Sequence, residues 1–488
     1  VGSSFLPRYT RLLLWLLNIT SYTNEYRRLG QRIHSLIKMN GNRFAVLYLK
    51  ECVRLTHQWI SGRPSVCNEA NLRVATRRGL PTIIPGLLRL QMEARSLVVI
   101  RAVLTILSVF RIIKFPGTLR LETITDPFKG ISSTLPPIEV ALAWKRFLPF
   151  LPNVSIRSLG LDRPLLLKTA GPNYRVSILG APLDALAWAS APVELWKAFE
   201  VLSDNWCPLL LDFLKAEMSA VSGLTPKRAI KLGKLSKKLE PAGKIRIFAI
   251  ADVWTQTLLK PLHEYIFLIL KGIPQDGTFD QSAPLTRLAA KLRDSPQKWV
   301  ASYDLSAATD RLPIDLQVQV LALLSTREVA EAWRCLLVGR DWYFAKETYR
   351  YAVGQPMGAL SSWGMLALTH HLIVQLAAIR VGKTTWFEDY ALLGDDIVIA
   401  DKAVAASYHF IMTVVLGVDI NLSKSIVSDE GVMEFAKRIV GPFGEVSPIG
   451  PKNLSGCLTN PATLPSLLLD YLGKGGELDW SFVETKFA

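Results

Sequence analysis

The sequence predicts an α+β fold, on three observations. Residues 387–401 read as a short apolar strand, a tight turn at Gly394-Asp395-Asp396 and a second apolar strand. Residues 299–311 hold another strand-like run through Val300 and Tyr303, which ends in Asp304 and leads through the polar turn Ser306-Ala307-Ala308-Thr309 to Asp310. Around these lie long stretches of helical spacing, among them 255–270, 359–378 and most of the first 150 residues. Two acidic strand ends can meet if their strands lie side by side in one antiparallel sheet.

Adjacent acids between Val, Ile and Leu runs repel and desolvate poorly unless something cationic sits against them. A divalent metal is the expected partner. Gly394 fits the turn, since a two-residue hairpin commonly needs positive φ. The tripeptide alone decides little, because a chain of this composition holds Gly-Asp-Asp by chance in roughly one case in fifteen, mostly as solvated turns. A second acidic site is therefore required, and Asp304 supplies it. Asp304 and Asp395 would flank two Mg²⁺ ions about 3.5 to 4 Å apart, with Mn²⁺ as a substitute, the geometry that stabilises attacking and leaving oxygens in phosphoryl displacement.

At 488 residues and 50% hydrophobic, the chain can bury several subdomains rather than one, which excludes a disordered protein. A net charge of +16 and a pI near 9.6 point to a polyanion partner. Nearly all of the excess lies in residues 1–120, where nineteen Lys and Arg face only Glu25, Glu51, Glu69 and Glu93. That asymmetry suits an RNA phosphate backbone, and a solvated basic face is the plainer alternative. Cys52, Cys67, Cys207, Cys335 and Cys457 form no CxxC pair and no Cys/His cluster. Such spacing argues against a zinc site and for reduced thiols in an intracellular compartment. The best membrane candidate, residues 97–113, is interrupted by Arg101 and Arg111, so it reads as a buried core helix and no stable membrane insertion is expected. Residues 12–17, flanked by Arg8, Arg11, Arg27 and Arg28, resemble a mitochondrial transit peptide, although the same bias continues for another hundred residues. The chain begins with Val1, which leaves its true start open.

Along the chain, residues 1–150 read as helices broken at Pro81, Pro85, Pro116 and Pro136-Pro137. The basic run 227–244, with Lys237, Lys238 and Lys244, ends in a strand at 245–250. Lys244 and Arg246 occupy alternate positions and would project together to hold a triphosphate; a ribbon meeting only the template backbone is the other reading. A helix over 313–324 opens with proline in its first turn. His370 and His371 sit inside an apolar helix and read as packing or hydrogen-bonding residues, not ligands.

The ordered set Gly243-Lys244-Ile245-Arg246, Asp304 with Asp310, Gly354-Gln355-Pro356-Met357-Gly358 with Ser361-Ser362-Trp363, Gly394-Asp395-Asp396 and Lys424 resembles the motif order of viral RNA-dependent RNA polymerases. It is most similar to the mitovirus branch, through Glu240-Pro241-Ala242-Gly243-Lys244, Asp276-Gly277-Thr278-Phe279 and Leu368-Thr369-His370-His371. The resemblance covers about residues 205–455.

It implies a right-hand polymerase of fingers, palm and thumb, with an antiparallel palm sheet behind a helical N-terminal region. The divisions would be a basic helical region at 1–150, fingers with the triphosphate-binding ribbon at 151–298, a palm with the metal site at 299–440, and a short thumb at 441–488, naturally short or truncated. It also implies RNA template and product as partners, ribonucleoside triphosphates as substrates and the host mitochondrion as location.

By the same resemblance, Asp304 and Asp395 would be metal ligands. Asp396 would assist them, or is simply the second residue of the turn. Asp310 would accept a hydrogen bond from the ribose 2′-OH; alternatively it is an N-cap or pairs with Arg311. Leu366 stands where the commoner pattern has asparagine, so either Ser361 or Ser362 would partner Asp310 or the sugar discrimination would be weaker. Lys424 would protonate the pyrophosphate leaving group, or is a surface lysine. Gly354 and Gly358 would let backbone approach the template, and Lys437 and Arg438 would meet RNA phosphates. Two rival readings are a reverse transcriptase, which small residues at 306–309 disfavour, and a catalytically inactive RNA-binding viral remnant.

Overall fold

In the computed structural model, which describes residues 4–63, 72–422 and 424–478, the acid-bearing strands lie side by side in a four-stranded antiparallel sheet. The chain opens with helices α1 (Phe5–Leu16) and α2 (Thr23–Ile60), the latter kinked at Gly41, followed by α3 (Leu97–Leu107). The basic run folds as β1 (Gly233–Leu239) and β2 (Ile245–Ala251). Next come β3 (Val300–Asp304), β4 (Trp342–Phe344), β5 (Glu347–Tyr349) and the helix α4 (Ser362–Arg380). The hairpin is β6 (Tyr390–Leu393) and β7 (Asp396–Ile399). It is followed by β8 (Ile426–Ser428), then β9 (Met433–Phe435), β10 (Arg438–Gly441) and β11 (Gly444–Glu445), and finally α5 (Pro451–Thr459) and α6 (Leu464–Gly473). The sheet orders are β8-β3-β7-β6, β2-β1-β4-β5 and β9-β10-β11, besides a small hairpin of Thr76–Arg77 with Leu80–Pro81. This is the α+β architecture that the strand pattern predicts.

Burial on both faces explains why the strands around the site read as unbroken apolar runs. Ala301, Leu392, Ile397 and Ile399 point into the large core that contains α4, whereas Val300, Ala391 and Val398 point to a smaller core with Leu285, Leu288 and Phe435. Successive residues therefore alternate between two dry layers. Among the described helices α4 is the one long and apolar enough to cross a membrane, but 89% of that stretch is buried inside the protein. Residues 97–113, read from the sequence as a buried core helix, are α3 with a 3₁₀ turn at Ser108–Ile112, and they pack in the core as expected. The Arg101 guanidinium donates there to the carbonyls of Glu445 and Lys474.

The two ends of the described chain share one core. Leu6, Tyr9, Ile33, Leu49, Val103 and Ile106 of the first helices pack with Ile439, Ile449, Leu454 and Leu467 near the other end. The sequence did not foresee β1, because its lysines are poor strand formers. Full pairing with β2, from Gly233 opposite Ala251 to Leu239 opposite Ile245, imposes the strand. Cys52 and Cys207 are buried thiols and Cys335 and Cys457 are half-buried; Cys67 lies outside the described residues.

Candidate active site

Asp304 ends β3 directly opposite Asp396, the first residue of β7, and β6 closes on β7 with Leu393 opposite Asp396. The turn is therefore Gly394-Asp395, with Gly394 at φ 59°, where a Cβ would also lie 3.1 Å from the Trp363 indole nitrogen. Leu305 N–H donates to the Asp395 carbonyl at 3.3 Å, tying the strand end to the turn. Residues opposite one another in an antiparallel pair share a face. Three carboxylates thus stand at one sheet edge, and the charge of Asp304 acts on both Asp395 and Asp396. Burial pushes Asp396 up to about 7, with the charges of Asp395 and Asp304 adding to it. Asp395 is raised first by burial, with Asp304 adding to it and Lys244 and Lys424 opposing. Among the described residues, no three His, Cys, Asp or Glu side chains gather closely enough to form a metal cage by themselves.

Two of the predicted cations reach this edge. Lys424 Nζ lies 2.7 Å from Asp304 Oδ2 and is largely exposed. Lys244 is lowered by burial and by Arg246, and it feels both Lys424 and Asp395. Arg246 is already paired with Glu240 at 2.9 Å, and across the ribbon it stands opposite Lys238. Lys237 and Lys238 are exposed near the end of β1.

Asp310 sits on a single helical turn, Ala308–Arg311, and neither local alternative describes it. Its Oδ2 accepts the Thr123 hydroxyl at 2.8 Å. The Arg311 guanidinium turns away to the carbonyls of Asp126 and Pro127 at 2.7 and 2.8 Å. Burial raises Asp310 to about 6, against the Thr123 bond and the Arg311 charge. Neither expected serine is hydrogen-bonded to Asp310 in this structure. Ser361 Oγ accepts from Trp333 Nε1 at 2.9 Å, and Ser362 Oγ is buried with no hydrogen-bond partner among the described residues.

The glycine loop presses on the protein's own backbone. A Cβ on Gly354 would stand 2.2 Å from the Thr309 carbonyl oxygen, and Gly358, at φ 114°, would place one 2.3 Å from that of Ala249. Lys437 sits at φ 68° in the tight β9–β10 turn, within reach of the Asp396 charge. Arg438 makes a bidentate pair with Glu445 at 2.9 and 2.6 Å.

Behind the hairpin, α4 fixes the turn with its histidines, which are hydrogen-bonding core residues as the sequence suggested. Burial pushes His370 down to about 4, so the ring is neutral. Its Nδ1–H donates to the Gly394 carbonyl at 2.8 Å, and Nε2 accepts from Tyr408 Oη at 2.6 Å. His371 joins Tyr390 Oη at 2.8 Å to Asp276 Oδ2 at 2.9 Å. Sequence reasoning missed three further groups. Thr123 carries no local signal. Glu434 is pushed up to about 8 by burial and by Asp396, with Arg111 opposing. Lys50 on α2, lowered by burial, then by Lys424 and Lys244, brings the basic N-terminal region to the site.

Four similarities to known proteins bear on this chain. The family profile described as mitovirus RNA-dependent RNA polymerase matches residues 158–485. The RNA-directed RNA polymerase of Cryphonectria parasitica mitovirus 1 (strain American chestnut tree/New Jersey/NB631) is 38% identical over 458 residues, which are 89% of this chain and 55% of that protein. This chain thus spans about half the length of that relative. An uncharacterized mitochondrial protein of Arabidopsis thaliana is 44% identical over 181 residues, 35% of this chain and 69% of that one. Among solved structures, the RNA-dependent RNA polymerase of a human picorbirnavirus aligns with TM-score 0.49 and 14% identity over 76% of this chain and 71% of that one.

Proposed function

The chain belongs to the mitovirus RNA-dependent RNA polymerase family, and we propose that it extends an RNA 3′ end on an RNA template by adding ribonucleotides, copying a viral RNA genome. The observation that carries this reading is the register of β3 with β7, which sets Asp304, Asp395 and Asp396 at one sheet edge with Lys244 and Lys424 in the same electrostatic field.

The donor set fits Mg²⁺, with Mn²⁺ as a substitute. Buried carboxylates such as Asp395 and Asp396, raised by burial with the charge of Asp304 adding to it, are stabilised by a hard cation, and Mg²⁺ takes one or two carboxylates and completes its shell with water and substrate phosphates. No closed protein cage is needed for that. Asp304 and Asp395 would hold the ions, with Asp396 assisting. When bound, two such ions lower the barrier to attack by a hydroxyl and stabilise charge on the transferring phosphoryl group.

The remaining roles belong to the chain's own side chains. Lys244 binds the triphosphate, aided by Arg246 and the exposed Lys237 and Lys238 along the ribbon. Lys424 Nζ holds the proton that passes to the departing pyrophosphate oxygen. Asp310 accepts the ribose 2′-OH, and the unpartnered Ser362 hydroxyl lines the nucleotide position. Lys437 binds RNA phosphate through simple charge. The names of the Cryphonectria and Arabidopsis relatives support a mitochondrial location.

Purified chain given a primed RNA template, Mg²⁺ and either ribo- or deoxyribonucleotides tests the proposal. Extension with ribonucleotides is expected. Preferential DNA synthesis would turn the assignment to a reverse transcriptase, and RNA binding without extension would turn it to an inactive remnant.

A further inference from the structure

We propose that Thr123, far upstream of the palm strands, is the positioning residue that aims Asp310 at the sugar of the incoming nucleotide. The inference rests on the polymerase reading above and adds a residue to it. Asp310 Oδ2 accepts the Thr123 hydroxyl at 2.8 Å, while Oδ1 has no hydrogen-bond partner among the described residues. A carboxylate pinned at one oxygen presents the other in one direction. Left unpinned, its terminal torsion is broad and roughly two-fold, and the acceptor would wander.

Thr123 is itself held firmly. Its neighbour Ile124 is buried in a small core with Leu235, Ala249, Trp342 and Tyr351. The Ile124 carbonyl accepts from Ala352 N–H at 2.9 Å. Arg311 grips the same segment by the carbonyls of Thr123, Asp126 and Pro127, at 3.4, 2.7 and 2.8 Å. On the far side, Gly354 N–H donates to the Asp310 carbonyl at 3.0 Å. Backbone and hydroxyl are thus fixed separately, and losing the hydroxyl leaves the Arg311 clamp in place. One further polar group close to Asp310 is incompletely paired. Tyr351 Oη is buried without a partner among the described residues and lies in the field of Asp310. A ribose hydroxyl entering there meets an aimed acceptor, and a deoxyribose does not.

The test measures kcat and KM for ATP and dATP in single-nucleotide extension of a primed RNA by the full chain and its Thr123→Val, Thr123→Ser and Asp310→Asn variants. Valine keeps the shape of threonine and removes the donor. In Thr123→Val the ribo-to-deoxy ratio of kcat/KM should fall about tenfold, as for one lost hydrogen bond to a charged group, chiefly through a higher KM for ATP. Thr123→Ser should restore it. If Asp310→Asn lowers the ratio while Thr123→Val keeps it, the inference is wrong and the polymerase reading stands. Loss of ATP and dATP use together in Thr123→Val, unrescued by serine, would make the bond merely structural and also overturn it. If Asp310→Asn leaves the ratio at the wild-type value, the role of Asp310 and the inference fall together.

Discussion

Replacing His370 by phenylalanine tests whether α4 sets the position of the acidic turn. The neutral imidazole donates to the Gly394 carbonyl and accepts from Tyr408 Oη, and the side chain is wholly buried. Phenylalanine approximates the ring's volume but leaves both partners buried and unpaired, at about 1 to 3 kcal/mol each. A local loss of about 3 kcal/mol is expected, which corresponds to roughly hundredfold easier opening of the hairpin. Hydrogen exchange of the β6 and β7 amides reads this directly, and the amides of β1 and β2, which share no partner with His370, serve as reference. Tyr408→Phe removes a single donor and should have a smaller effect. Because a turn displaced by an ångström misaligns reacting groups, kcat should fall in step with the exchange result. Hairpin protection within twofold of wild type in His370→Phe would refute the reasoning, since it would mean that the turn holds its place without the histidine.

Three further outcomes follow from the same geometry. Asp395→Ala should abolish synthesis while RNA binding stays within a few-fold; with the fold intact, parallel loss of both by filter binding and extension assays would show that the role is misassigned. Asp310, raised to about 6 by burial with Thr123 and Arg311 opposing and Tyr351 facing it, accepts best when ionised. The ATP-to-dATP ratio of kcat/KM should therefore be full above pH 7 and decline as pH falls through about 6, and a flat ratio from pH 5 to 8 would contradict that. Asp252, buried with Arg340 at 2.8 Å and accepting from Trp188 Nε1 and Thr255, anchors the helix that follows β2. Asp252→Ala leaves a buried guanidinium unpaired and should cost about 3 to 5 kcal/mol in thermal or denaturant unfolding; a change below 1 kcal/mol would rule out that anchoring role.

The hairpin and its link to Asp304 were legible because apolar runs, a glycine and polar turn residues are local signals, and two acidic strand ends can be paired by antiparallel logic alone. Register was harder. The sequence named Asp304 and Asp395 as the residues that would flank the ions but gave no pairing register, and the strand ladder sets Asp396 directly opposite Asp304. The basic ribbon showed its charge but not its pairing, because counting cations does not reveal that Glu240 takes Arg246 or that Glu445 takes Arg438. The partner of Asp310 was out of reach for another reason. Thr123 lies 187 positions away in a proline-bounded segment with no periodicity, so only the folded chain brings the two together. The same holds for Lys50 and Glu434, which reach the site through a core built from both ends of the described chain.

The most direct measurement is single-nucleotide extension of a primed RNA as Mg²⁺ is titrated, for the wild-type chain and Asp304→Asn, with RNA binding followed in parallel. The account predicts extension that saturates with Mg²⁺ in the wild type, and bound but unextended RNA in the variant at every Mg²⁺ concentration. Wild-type extension rates in Asp304→Asn would contradict it, because the convergence of β3 on the acidic turn would then have no part in the chemistry.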